Sequence, residues 1–241
     1  MAGHSHAANV AHRKNAQNKI KSKIFTKLQK LITIAVKNGS PEPELNPKLK
    51  NAIMEAREAN MPKDKIESAI KKASNVDEKD NYEELRYNGY ANGGVAIIIE
   101  ALTNNKNRTS GDIRAILTKY GGNLGETGSV EYMFKRIGLL EYNKSQISLN
   151  EDELLALVIE NNANNLEITE DLIFIETNFD NSHAIMNKLK QAIGEPKNAR
   201  IIWSVETDVL INEEQKINLQ KILDALYDLD DVQEVYHNGN L

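Results

Sequence analysis

The sequence reads as a multidomain α+β protein, in which a three-helix unit precedes two small α+β sandwiches. Three observations lead there. Apolar residues at three- and four-residue spacing fill the first 75 positions, and short strand-like and helix-like segments alternate beyond them. Neither long βαβ repeats nor the glycine fingerprint of a doubly wound nucleotide fold occur. With 241 residues, 40% of them hydrophobic, the chain has material for two or three domains.

From about residue 15 to 37, Ile20, Ile24, Leu28, Leu31, Ile32 and Ala35 form one stripe of a helix. Lys19, Lys23, Lys27 and Lys30 keep the same spacing one position offset, a row of ammonium groups beside the stripe. NGSPEPELNPKL ends this helix at Gly39, and its three prolines make a turn or short loop. A second helix is expected over about 47 to 59, with Leu49, Ile53 and Ala56 inward. A third follows Pro62, with Ile66, Ala69 and Ile70 inward. SNVDEKDN, charged and without apolar anchors, is the clearest linker.

Beyond the linker, residues 85–90 and 95–102 read as a hairpin turning at Asn92-Gly93-Gly94. A helix over about 109 to 120, the glycine-rich GGNLGETG and a strand SVEYMF follow. Next come a strand GLLEY, a helix near 150–161, a strand pair at LEI and LIFIE, a helix near 182–193 and a strand ARIIWSV. TDVLI, a helix near 213–229 and a strand VQEVYH complete the chain. Pattern alone leaves open which sandwich the last helix and strand close.

Charge is segregated along this order. The formal net charge of -5 hides residues 1–75, with 15 Lys/Arg and 6 Asp/Glu for a net of +9, and residues 76–241, with 15 against 29 for a net of -14. No acid precedes Glu42, so the lysine row has no partner on its own helix, where a solvated helix ordinarily alternates signs. This favours a polyanion partner. No apolar run approaches the ~18 residues of a membrane span, and no apolar secretory core stands at the start, so a cytoplasmic protein without a membrane partner is expected. Zero cysteines exclude disulfides, thiol catalysis and thiolate zinc sites.

The remaining constellations favour binding over chemistry. His4, His6 and His12 lack neighbouring carboxylates and suit phosphate-facing donors better than a metal site. His12-Arg13-Lys14 fits backbone recognition, because Arg grips phosphate bidentately and Lys acts as a point charge. GGNLGETG could cradle phosphate, but it lacks a Gly-Lys-Ser/Thr ending and precedes a strand. A glycine helix cap with tight turns explains it better. Glu126, a single carboxylate, is a poor basis for acid/base catalysis. No triad, HExxH or carboxylate cluster is present, so no enzyme, metal or cofactor is expected. Thr109 or Ser110 is the expected N-cap of its helix, with Lys106 and Arg108 a possible second cationic contact. Tyr82, Tyr87 and Tyr90 suit hairpin packing better than base stacking.

Taken together, MAGHS, Asn9, the HRK at 12–14, KIFTKL, ANMPKD, YEELRYNGY, GGVAIIIEALT, NKNRT and GGNLGETGSVEYMF closely resemble the YebC/PmpR family. The likeness runs from residue 1 to about 140, and the rest of the chain matches in length and pattern more than in motif. The family includes the mitochondrial translational activator of cytochrome c oxidase subunit I. The resemblance implies a basic helical domain at 1–77, an α+β domain at 78–134 plus 206–241, and a second α+β domain at 135–205 inserted in it. It implies a ribosome-associated translation factor that contacts large-subunit ribosomal RNA and assists elongation through difficult stretches such as consecutive prolines. A DNA-binding transcriptional regulator on duplex DNA is the alternative. A monomer is expected.

Carried over by position, the family's opening motif puts nucleic-acid contact on Gly3, His4, Ser5, Asn9, His12, Arg13 and Lys14. Lys23 and Lys27 lie in its helix motif, and Lys19 continues their row. The sequence departs at His6-Ala7, where Lys-Trp is usual, and at Ala11, where lysine is usual, so two cations and a stacking ring are lost. The resemblance also gives Asn123, Gly125, Glu126, Thr127 and Gly128 weight as an RNA-proximal or domain-orienting loop.

Overall fold

A computed structural model describes residues 21–75 and 82–241. These fall into two compact units, one made of residues up to Val130 together with Val209–Gly239, the other of Glu131–Asp208.

The first unit begins with α1 (Lys21–Lys37), α2 (Pro47–Glu58) and α3 (Lys63–Ser74). The apolar stripe of α1, including Leu28, Ile32 and Ala35, closes a core with Leu49, Ile53 and Ala56 of α2 and Ile66 and Ala69 of α3. Buried Asn46 joins the first two helices. Its side-chain amide donates to the Ala35 and Ser40 carbonyls at 2.8 and 2.7 Å, and its Oδ1 accepts the Leu49 N–H as the N-cap of α2. Pro47 follows at the first helical position, where its missing N–H costs nothing. The expected linker lies largely at 76–81, outside the described residues.

Next come β1 (Glu83–Tyr90), β2 (Ala96–Thr103), α4 (Lys106–Lys119) and β3 (Asn123–Leu124). After residues 131–208, α7 (Glu213–Tyr227) and β8 (Val232–His237) return to the same unit. The antiparallel sheet has the order β3-β1-β2-β8. The C-terminal helix and strand therefore belong to the first sheet, the choice that pattern left open. Ile97 and Ile99 of β2 pack with Ile113 and Leu117 of α4 and Leu219, Ile222 and Leu226 of α7.

The second unit is inserted between β3 and α7. It holds β4 (Phe134–Asn143), α5 (Glu151–Glu160), β5 (Asn165–Ile168), β6 (Leu172–Asn178), α6 (Ser182–Ile193) and β7 (Asn198–Val205), with sheet order β5-β6-β4-β7. One face of β4 and β6, carrying Leu140, Tyr142, Ile173 and Ile175, packs on Leu154 and Val158 of α5 and Ile185 and Leu189 of α6. Asn150 with Glu153, and Asn212 with Gln215, form capping boxes that start α5 and α7.

Two local expectations are corrected. The segment SVEYMF is not a strand: after Gly128 at φ +83° the chain turns, Glu131–Met133 is a short 3-10 helix, and β4 starts only at Phe134. Val130, Tyr132 and Phe134 recur at the two-residue spacing of one strand face, yet Tyr132 is exposed between buried Val130 and Phe134, as a strand face would not have it. The N-cap of α4 is Asn105, whose Oδ1 accepts the Arg108 N–H at 3.1 Å, so α4 begins earlier than Thr109 or Ser110 would place it.

Gly138 on β4 lies where α6 begins: a Cβ there would collide with the Ser182 hydroxyl of α6 and the Thr177 hydroxyl of β6. Gly138→Ala is expected to destabilise the inserted domain by about 1–3 kcal/mol, the usual cost of overpacking. A fall in the urea midpoint measures it, and an unchanged midpoint would mean that α6 yields freely.

Candidate nucleic-acid interface

The lysine row of α1 finds its acids near the other end of the chain. Lys23 Nζ donates to Asp228 Oδ1 at 2.7 Å and to the Asp228 carbonyl at 3.0 Å. Lys27 Nζ donates to the Tyr227 carbonyl at 2.7 Å, and Lys30 Nζ to the Asp230 carbonyl at 3.0 Å and Asp231 Oδ1 at 2.6 Å. Successive turns of α1 thus hold the end of α7 and the turn to β8. The physical basis is shared: the last carbonyls of a helix have no intrahelical donor and carry the negative end of its dipole, so ammonium groups suit them. Burial lowers the Lys27 pKa to about 8, despite opposing attraction from Glu234 and Asp230.

Asp231 is the most enclosed point of this contact. Oδ1 takes Lys30, while Oδ2 accepts Arg108 at 2.7 Å, the Thr109 hydroxyl at 2.7 Å and the Thr103 hydroxyl at 3.1 Å. Its carbonyl accepts the Leu102 N–H at 2.7 Å. Burial by itself would raise the Asp231 pKa, but the hydrogen bonds from Lys30, Arg108 and Thr109 outweigh it and hold the carboxyl at about 2. Thr109, inside the first turns of α4, is buried as an Asp231 donor.

The glycine-rich loop is built by α4 and β1. Gly121 at φ +81° donates to the Thr118 carbonyl and Gly122 to the Leu117 carbonyl, the paired bonds of a glycine-capped helix end. Buried Asn88 of β1 then accepts from Gly125 N–H through its carbonyl at 2.8 Å and from Gly128 N–H through Oδ1. The Tyr90 hydroxyl donates to the Ser129 carbonyl at 3.1 Å. Two of the amides that could have cradled a phosphate are therefore turned onto β1. Asn123, Glu126, Thr127 and Gly128 remain exposed at the surface, and Gly125 is half-buried.

Of the residues expected to contact nucleic acid, Gly3, His4, Ser5, Asn9, His12, Arg13, Lys14 and Lys19 lie outside the described residues. Lys23 and Lys27 are half-buried against the α7–β8 turn. Sequence reasoning missed Asp228, Asp230 and Asp231. Their signal was present, since three acids just after a helix oppose its dipole and call for a cationic partner. No helix among the described residues is long and apolar enough to cross a membrane, and no metal-holding group occurs among them.

Comparison with known proteins accounts for both units. The profile of the TACO1/YebC protein N-terminal domain matches residues 5–76, and that of the TACO1/YebC second and third domain matches residues 82–239. The chain belongs to the TACO1/YebC family. A crystal structure of a conserved hypothetical protein, Aq1575, from Aquifex aeolicus is similar at 40% identity and a TM-score of 0.79, over 90% of this chain and 89% of that one. TACO1/YebC proteins are translational activators and transcription-regulator-like proteins, so membership places this chain among regulators of gene expression. The helical domain, the first sheet and the inserted sheet are the parts that the two TACO1/YebC profiles describe.

The low Asp231 pKa has a sign that can be tested. Its folded value of about 2 lies below the ~3.9 of an unfolded Asp, so its contribution is complete above about pH 4 and lost as pH falls toward 2. Asp231→Asn is expected to lower the urea midpoint at neutral pH, with a gap from wild type that narrows between pH 4 and 2. Asp231→Ala leaves Lys30 and Arg108 without their shared anion and should cost about 3–5 kcal/mol. A gap independent of pH would contradict the ionised Asp231 network.

Proposed function

We propose that this protein is a translation factor that binds large-subunit ribosomal RNA through its basic N-terminal domain and assists elongation through difficult, proline-rich stretches. It performs no chemistry of its own in this role, acts in the cytoplasm and needs no cofactor. The observation that carries the proposal is the segregation of charge, +9 over residues 1–75 against -14 over the rest. A chain of that kind presents cations at one end to a polyanion while its body is repelled from it.

Lys23, Lys27 and Lys30 are already engaged within the chain, so phosphate contact falls to other cations. His12, Arg13, Lys14 and Lys19 supply one group, together with exposed Lys48, Lys50, Lys63, Lys65, Lys71 and Lys72 on α2 and α3. Lysines on short helices recognise backbone charge rather than base edges. No cluster of Asn, Gln and Arg stands at the start of a described helix of this domain, which weighs against sequence-specific duplex readout and hence against the DNA-regulator alternative.

Two classes of lysine and arginine variant should separate. Arg13→Ala and Lys14→Ala are each expected to reduce the slope of log affinity for ribosomes against log salt by about 0.7–0.9, with little change in unfolding. Lys30→Met is expected to do the reverse, lowering the urea midpoint with the slope retained. Sucrose gradients at graded salt and denaturation curves measure both. A wild-type protein that stays at the top of a low-salt gradient, with proline-rich reporters unaffected by its absence, would sink the proposal.

A further inference from the structure

The inserted domain carries an arrangement unlike the rest of its surface. Its exposed aromatic rings are Tyr132, 73% exposed just before β4, and Phe179, 43% exposed in the short turn between β6 and α6. Arg136 of β4 stands opposite Trp203 of β7 in the sheet register. Its guanidinium lies over the Phe179 ring at 4.6 Å and over the Trp203 ring at 5.6 Å from their centroids. Trp203 is largely covered, whereas Phe179 keeps much of its surface open. Ile201, on the same face of β7 as Trp203, extends the apolar floor and is 37% exposed.

Two features make this a built platform rather than scattered exposure. Residues 131–208 hold 14 acids and 7 bases, a net of -7. An exposed arginine in such a domain would ordinarily take a carboxylate, yet Arg136 has no ion pair among the described residues and is held by rings instead. The backbone that carries Phe179 is also anchored. Phe179 opens the short turn that leads directly into α6, and the start of α6 is pressed onto Gly138.

We propose that Arg136, Phe179 and Trp203 form a seat for an unpaired base of single-stranded RNA, with the base on the open Phe179 ring and its phosphate on the Arg136 N–H groups. The chemistry selects this ligand. A cationic ligand is repelled by the guanidinium already over the rings, and an aliphatic one gains nothing from a π face. A planar base gains stacking and cation–π attraction together, while a duplex keeps its base faces hidden. Because the domain is acidic, its overall field opposes RNA, so stacking must supply most of the affinity and the salt dependence must be shallow. The seat lies outside the helical domain assigned to ribosomal phosphates, so either can fail without the other.

The test uses the full-length protein and a fluorescein-labelled oligoadenylate, followed by anisotropy at salt high enough to suppress the lysine contacts of the helical domain. Phe179→Ala and Phe179→Leu are expected to weaken binding about five- to a hundredfold with the salt slope unchanged, and Phe179→Tyr to restore it. Arg136→Ala should reduce the slope by about 0.7, the loss of one single-strand phosphate contact. Thermal melts of the same variants should match wild type, since Phe179 is half-exposed. Equal affinity of wild type and Phe179→Ala would overturn the proposal, as would no binding by wild type, or photocrosslinks from thiouridine-labelled RNA confined to residues 1–75.

Discussion

The carboxylate of Asp231 is the constraint on which the first unit turns. A buried charge is tolerated only when its partners are in place, and here they come from three separate stretches: Lys30 of α1, Arg108 and Thr109 of α4, and Thr103 at the end of β2. The Asp231 carbonyl also accepts from Leu102, so the same residue sets where the chain enters β8. Apolar packing builds each core, but it is non-directional and tolerates sliding. A carboxylate with donors on both oxygens does not. The orientation of α1 against the first sheet is therefore specified by charge and hydrogen bonds, while the energy of each core comes mainly from burial.

The same contact changes what the basic end of the protein can offer. A lysine row without acids on its own helix looks free for phosphate, yet three of its members hold the carbonyls and carboxylates that close α7. Lys23 and Lys30 meet carboxylates as well as carbonyls, while Lys27 meets the Tyr227 carbonyl. Lys30, buried against Asp231, is the least available of them, and burial also lowers the Lys27 pKa to about 8. The cations left for a partner are those before α1 and on the outer faces of α2 and α3.

The inserted domain is acidic and so has little to offer phosphates at long range, but its rings and Arg136 suit the faces of bases. The two units would then divide recognition by chemistry, charge at the helical end and stacking at the inserted sheet. Such a division would let a net-acidic protein engage RNA without adsorbing to it along its whole length.

Much of the fold was legible because it is decided locally. The apolar stripes of α1 to α3, the hairpin turning at Asn92-Gly93-Gly94, the helix Ser182–Ile193 and the strand Val232–His237 follow from periodicity and turn residues within a few positions of one another. Where local rules misled, two structures shared one local pattern: Val130, Tyr132 and Phe134 recur at strand spacing, and Thr109 resembles a cap although Asn105, four residues earlier, caps the helix. The candidate site was legible only in its charges. The sequence by itself determined which helices are basic, which faces are apolar and which family the motifs resemble, since these depend on composition and short spacing. Only the tertiary structure decided that Lys30 meets Asp231 across some two hundred residues, and that Arg136 rests on Phe179 and Trp203. Those partners are selected by how sheets and helices pack, and no local spacing encodes that.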